Sequence, residues 1–369
     1  RVKEIMRLYC RALSAIDVEI TTQESEDTHG KNWVPMEQML FDGANIYLPV
    51  VSEQFDNKEE NFNWFKVMAT HQIAHLEFRS FQFSFSTSAT QYTDLKDGLA
   101  PQIDEVVSEV EMVNFEMENE QKATREDFGL TEIQRFFAIF SDGLLARDIF
   151  TAVEDYRLDS RVIREYPGIR NSYRQVQLHS LSERPSLEDL PSREALVEIL
   201  IRFSLKQNGN FNVPEKHLPT TRSMWEIVKL LGEKETIVED SAEATIRLYE
   251  IISKVENEAP SEENNDEENF DMDSPNESES NEENSGNSLN NLDQGEESDE
   301  STNLHPYRSP AQVDYRGDFK PELMQAISML KDFQKERDAN GESLSKEEIE
   351  QILSDANKPI HESEPGDPN

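Results

Sequence analysis

W-F-K-V-M-A-T-H-Q-I-A-H-L-E-F, residues 64–78, carries two histidines four positions apart, His71 and His75. In a helix, positions i and i+4 share a face one turn apart. Trp64, Met68, His71, His75 and Phe78 fall on that face, and Lys66, Thr70 and Glu77 fall opposite. The spacing therefore predicts a helix whose imidazoles point inward among apolar side chains. It is the spacing of the H-E-x-x-H zinc helix, in which two histidines bind metal and a glutamate acts as general base. Here the base position is Gln72. An amide cannot take a proton from a metal-activated water, so the peptidase step of that motif is missing. The plainer alternative is a pair of hydrogen-bonded core histidines with no metal.

A third ligand would decide between these. The run D-I-F-T-A-V-E-D-Y-R-L-D-S-R-V-I-R-E-Y-P-G, residues 148–168, shows a helical stripe of Ile149, Val153, Tyr156 and Ile163. Glu154 has Phe150 and Leu158 at i−4 and i+4, so it borders apolar surface. Asp155 has Thr151 and Asp159 there and reads as the more solvated acid. A carboxylate at an apolar edge needs a partner. Arg157 or Arg161 would serve; so would a metal held by His71 and His75. Two histidines on one helix and a glutamate from a later one form a known zinc ligand set. His71, His75 and Glu154 are therefore the candidate metal ligands, with zinc as the candidate ion.

Four blocks of the sequence carry a resemblance. They are D-G-A-N-I-Y-L-P (42–49), A-T-H-Q-I-A-H-L-E-F (69–78), V-E-D-Y-R-L-D-S-R-V-I-R-E-Y-P-G-I-R (153–170) and V-D-Y-R-G-D-F-K-P-E-L (313–323). In this order they resemble the portion of NorD/CbbO proteins that precedes their VWA domain; the third block is the most specific. The resemblance implies a MoxR-type AAA+ ATPase as partner. It also implies a role in activating or remodelling a target enzyme, as in activation of nitric oxide reductase or rubisco. A VWA metal loop has the form D-x-S-x-S. The nearest string, Asp299 to Asn303, fails at its last position.

Composition narrows the remaining classes. The net charge of −40 argues against nucleic acid, which needs a basic footprint, and against anionic membrane surfaces. No apolar run approaches the roughly 20 residues a bilayer span needs. A single cysteine, Cys10, leaves no internal disulfide and suits a reducing cytoplasm. The chain begins with Arg1 and reads as a fragment. G-x-x-x-x-G-K-[ST] and G-x-S-x-G are both missing, so neither P-loop hydrolysis nor a serine elbow is available.

The expected fold is mainly α. Residues 1–255 read as a helical domain opening with an amphipathic helix over 1–18, followed by an irregular stretch over 19–37. A short hairpin or edge strand is expected near 39–51, signalled by Asp42-Gly43 and ended by Pro49. Residues 81–85 alternate as a strand or an aromatic-anchored loop, and 94–128 read as an acidic insertion. Helices are expected over 131–140, 143–166, 171–181, 223–231 and 242–255, and another opens after Pro191 with Ser192 as its cap. Between Glu256 and Glu300 there is no Lys or Arg. Such a segment cannot bury enough surface to offset its ordering entropy, so 256–302 reads as a disordered acidic linker. Residues 303–356 read as an aromatic and basic strip, with Tyr307, Arg308, Tyr315, Arg316 and Phe319, followed by two helices. Residues 357–369 read as a loose tail. The functional expectation is a non-catalytic activator subunit. The alternative is a zinc metallopeptidase-like enzyme or its degenerate, metal-binding relative.

Overall fold

A computed structural model of the chain describes residues 2–14, 18–23, 44–96, 98–99, 129–205, 211–259, 267–270, 305–317, 319–340 and 345–356. The described residues are mainly helical, as the periodicity predicts. In chain order the elements are α1 (Val2–Ser14), β1 (Val18–Gln23), β2 (Ala44–Pro49), α2 (Lys58–Glu77), α3 (Glu132–Ala138), α4 (Gly143–Glu165) and α5 (Arg170–Ser182). They continue as α6 (Ser192–Leu205), β3 (Phe211–Pro214), α7 (Leu218–Val228), α8 (Val238–Ile252), β4 (Glu267–Phe270), α9 (Pro321–Asn340) and α10 (Lys346–Ala356).

The fold is built on α4. Its N-terminus is capped by Asp142, whose side chain accepts from the Leu145 amide. It ends at Glu165 with Tyr166, the residue before Pro167, as its C-cap, in keeping with the restriction on pre-proline residues. Between those ends it buries residues on every side, because α2, α6 and α8 all pack against it. The histidine helix α2 begins at Asn57, whose side chain accepts from the Glu60 amide. Glu59 and Glu60 in its first turn complement the helix dipole. It lies between α1, β2, α4 and α5. Thr70, expected on its outer face, is fully buried beneath α1 and shares a 2.8 Å hydrogen bond with Tyr9. The stripe analysis missed this because a helix packed on several sides has no outer face over its middle turns.

The small sheet differs from expectation. The first helix stops at Ser14 rather than running to 18. Residues 18–23 are a strand where irregular chain was expected from 19, and β2 pairs with it in parallel, Ile20 opposite Ile46. A parallel pair requires a long connection, so the Asp42-Gly43 turn closes no hairpin with this partner. That turn, like most of the 94–128 insertion and the 357–369 tail, lies outside the described residues. Residues 81–85 are a loop anchored by aromatics: Phe83 joins Phe136, Phe137, Phe140 and Phe150 in a second cluster beside the main core. At α6 the cap sits one residue earlier than read, since the Pro191 carbonyl accepts from the Ala195 amide and Ser192 is already helical.

Most of the acidic segment lies outside the described residues. Its described parts are held. Residues 267–270 form β4, antiparallel to β3, with Phe270 opposite Phe211. The free edge of β3 offers backbone partners that a composition argument does not weigh. Asn257 donates its side-chain amide to the His305 carbonyl, and its own carbonyl accepts from the His305 amide. The segment thus returns to the point where it leaves. Residues 305–317 and 319–320 then form a strap laid across α4, α5 and α6. Tyr307 donates to Asp148, the Arg308 amide to Glu194, and Arg184 holds the Ala311 carbonyl. Beyond the strap, α9 and α10 pack on each other. Gln325 ties α9 to the body through the Ile133 amide and the Phe83 carbonyl.

Candidate metal centre

His71 and His75 project from the C-terminal part of α2 with ring centroids 4.9 Å apart and planes nearly perpendicular. Both are buried, at 0% and 5% exposure. The carboxylate that meets them is Asp155. Its Oδ1 lies 3.3 Å from His71 Nε2 and 3.9 Å from His75 Nε2. One donor atom from each of His71, His75 and Asp155 lies within 4.8 Å of the other two, so this buried group could hold a metal ion. Ligand atoms about 2.0–2.2 Å from a tetrahedral ion are separated by roughly 3–4 Å, close to the spacing found.

Glu154, expected as the third ligand, is elsewhere. It accepts from Arg157, Ser80 and Ser241, and all four side chains are shut away from solvent. Arg157 is fully buried and also donates to the Phe78 and Thr236 carbonyls. Arg161, the other partner considered, pairs with Glu165. Successive helical residues are 100° apart, so when Asp155 faces the histidines its predecessor turns towards α8. Burial alone would raise the Glu154 pKa. The Arg157 guanidinium overrides this and holds it down to about 2. Its lone pairs are fully engaged as a structural ion pair.

The surroundings of the histidines were largely missed by the sequence reading. His71 Nδ1 lies 3.1 Å from Asp159 Oδ1 and 3.0 Å from the Tyr173 hydroxyl. Asp159 is fully buried and saturated. Tyr173, Gln177, Tyr315 and Arg316 all donate to it. Burial pushes its pKa up, but Arg316 and His71 overrule burial and hold it below the usual carboxylate range. Arg316 also reaches Asp155 Oδ2 at 3.1 Å and Ser204 at 2.8 Å. The strap can turn here because Gly317 takes φ +76, and Phe319 stacks on His75 at 4.4 Å.

Asp155 and Asp159 are one helical turn apart, as are His71 and His75, so two acids on α4 face two imidazoles on α2. A like-charged i,i+4 pair is unfavourable on a free helix. That pair was the available signal that a cation sits between them.

With Nδ1 of His71 engaged by a permanent carboxylate, its Nε2 points at Asp155 and His75. Nδ1 of His75 has no hydrogen-bond partner, and Nε2 of His71 has only its 3.3 Å contact with Asp155. Burial disfavours the His71 cation, yet Asp155 and Asp159 raise its pKa above the ordinary value. His75 goes the other way: burial first, then charge on His71, lowers it to about 3. Two imidazole nitrogens and a carboxylate oxygen gathered within 4.8 Å of one another in a buried site fit a divalent ion. With a metal bound, the Asp159–His71 contact would serve as the outer-shell bond that fixes the tautomer of a metal-binding histidine.

Gln72 does not face this group. Its amide donates to the Tyr47 carbonyl and accepts from the Tyr47 amide, each at 2.8 Å. It seals the edge of β2 left unpaired by β1. Cys10 is buried, and burial lifts its thiol to about 12, so it is inert as a nucleophile. Among the described residues no helix is long and apolar enough to cross a membrane. No protein-family model, no curated protein and no solved structure matches the chain.

Proposed function

We propose that the chain is a non-catalytic activator subunit that works with a MoxR-type AAA+ ATPase, in the cytoplasm, to activate or remodel a target enzyme. Its helical body is organised around a zinc ion held by His71, His75 and Asp155. The observation that carries this reading is the state of the base position. Gln72 spends both its donor and its acceptor on the Tyr47 backbone, so the site has ligands but no general base. Three of the four blocks that resemble NorD/CbbO proteins also meet at this site. His71 and His75 come from the second, Asp155 and Asp159 from the third, and Tyr315, Arg316 and Phe319 from the fourth, while Tyr47 of the first is tied to the histidine helix through Gln72. Resemblance concentrated on one buried cluster supports a shared structural centre there. Bound zinc would tie α2 to α4 beside the strap.

The test is a pull-down with a MoxR-type ATPase, with ATPase rate and zinc content as readouts. The expected result is one zinc per chain, stimulated ATP hydrolysis, and loss of both in His75→Ala. Zinc-dependent cleavage of a peptide library by the purified chain, abolished in the same variant, would replace this reading with the metallopeptidase one.

A further inference from the structure

His71, His75 and Asp155 supply three donor atoms, whereas zinc in a closed structural site takes four. Among the described residues no fourth His, Cys, Asp or Glu joins the group. The charges around the site say what the missing ligand should be. With a divalent ion in place both imidazoles are neutral ligands. Asp155 and Asp159 contribute two negative charges, and Arg316, 2.6 Å from Asp159 and 3.1 Å from Asp155, contributes one positive. Glu154 and Arg157 cancel each other. The loaded centre is left with one uncompensated positive charge at a buried position, which is costly in a low-dielectric interior.

A cleft of about 250 Å³ runs between α4 and the strap, walled by Thr151, Ala152, Asp155, Arg316, Gly317 and Phe319. It reaches the site from the side of the ligand carboxylate and the arginine, with the two histidines lying behind them. Further along, Arg147 is matched by Glu322 at 2.8 Å, and Asp148 and Lys320 line the walls with opposite charges. The volume accommodates a carboxylate group and a few further atoms.

We propose that this cleft admits a carboxylate, from a small acid or from an acidic side chain presented by another protein, as the fourth, charge-balancing ligand of the metal. The inference rests on the metal reading given above. The position suits an acidic anchor, because a carboxylate brings the balancing charge with it, whereas a bound water supplies it only by losing a proton.

Cobalt(II) in place of zinc reports coordination through its visible absorption. The chain would be loaded with Co²⁺ and titrated with acetate, then with a short peptide containing one Glu and its Gln counterpart. The expected result is one Co²⁺ per chain and a saturable spectral change with acetate. A response to the Glu peptide but not the Gln peptide assigns the protein source; a response to acetate alone assigns the small acid. Thr151→Phe narrows the cleft without touching a ligand. It should keep Co²⁺ and weaken the acetate response about tenfold or more, equivalent to about 1.4 kcal/mol. A Co²⁺-loaded chain whose spectrum ignores both carboxylate sources overturns the inference while the metal centre stands. A folded chain that binds neither Co²⁺ nor zinc overturns the metal centre and the inference together.

Discussion

Nδ1 of His71 and Oδ1 of Asp159 lie 3.1 Å apart on helices separated by 88 positions in the chain. This contact makes one ring nitrogen structural and leaves the other to face Asp155. Replacing Asp159 with Asn keeps the size and removes the fixed charge. The outer-shell carboxylates of metal-binding histidines typically account for 10–100-fold in affinity. Asp159→Asn should therefore weaken zinc by about that factor, measured by competition with a chromophoric chelator. Unchanged affinity in the folded variant would show that His71 is not a ligand.

Glu154 should matter for stability and not for metal. Removing one partner of a buried ion pair leaves an uncompensated charge and costs about 3–5 kcal/mol. Glu154→Gln leaves Arg157 in that state, so denaturant unfolding should show a loss of this order. Zinc content of the folded fraction should stay at the wild-type level. Loss of zinc without loss of stability would restore Glu154 as a ligand.

The two outcomes separate residues that the sequence places side by side. Glu154 and Asp155 were sorted by their i±4 neighbours on one helix, which made Glu154 the inward acid. That criterion works for a helix with one buried stripe; on α2 it placed His71 and His75 correctly and missed Thr70. It fails on α4, which is packed on several sides. Asp155 reads as solvated only until Arg316, 161 positions later, is laid over it. The aromatic and basic strip around Arg316 was visible in sequence. Its destination was not, since nothing local encodes which helix a strap crosses. The helices were legible from their period and their caps. The parallel pairing of β1 with β2 was not, because it depends on a contact across 26 positions.

His217 provides a pH dependence remote from the metal centre. It is buried, its Nε2 has no hydrogen-bond partner, and burial lowers its pKa to about 4. Unfolded, it titrates near 6.5. Above that pH neither state is protonated and stability is complete. As pH falls from about 6.5 to 4 the unfolded chain takes up a proton that the folded chain refuses, so stability falls; below about 4 the difference is constant. Allowing for partial solvation, the loss is about 2 kcal/mol. Urea unfolding at pH 7.0 and 4.5, for wild type and His217→Gln, isolates this contribution. The wild type should lose more than the variant by about that amount, and equal losses would remove His217 as the cause.

Gln72→Glu rebuilds the H-E-x-x-H string, and it should not rebuild a peptidase. The amide at 72 is held by two 2.8 Å bonds to the Tyr47 backbone, and a carboxylate can keep only one of them. Its remaining oxygen would meet the Tyr47 carbonyl, acceptor against acceptor. Leaving a buried acceptor unsatisfied costs about 1–3 kcal/mol, which should appear as reduced thermal stability at neutral pH. Below the carboxyl pKa the side chain regains a donor, so part of that loss should be recovered on acidification, the opposite of the trend set by His217. A base must also lie within about 3 Å of the proton it removes. Position 72 points at the edge of β2 rather than at the group formed by His71, His75 and Asp155. Zinc-loaded Gln72→Glu should therefore cleave a peptide library no faster than wild type. Cleavage that appears in this variant and disappears on adding His75→Ala would mean that the side chain at 72 swings to the metal, and that the chain is one substitution from an enzyme.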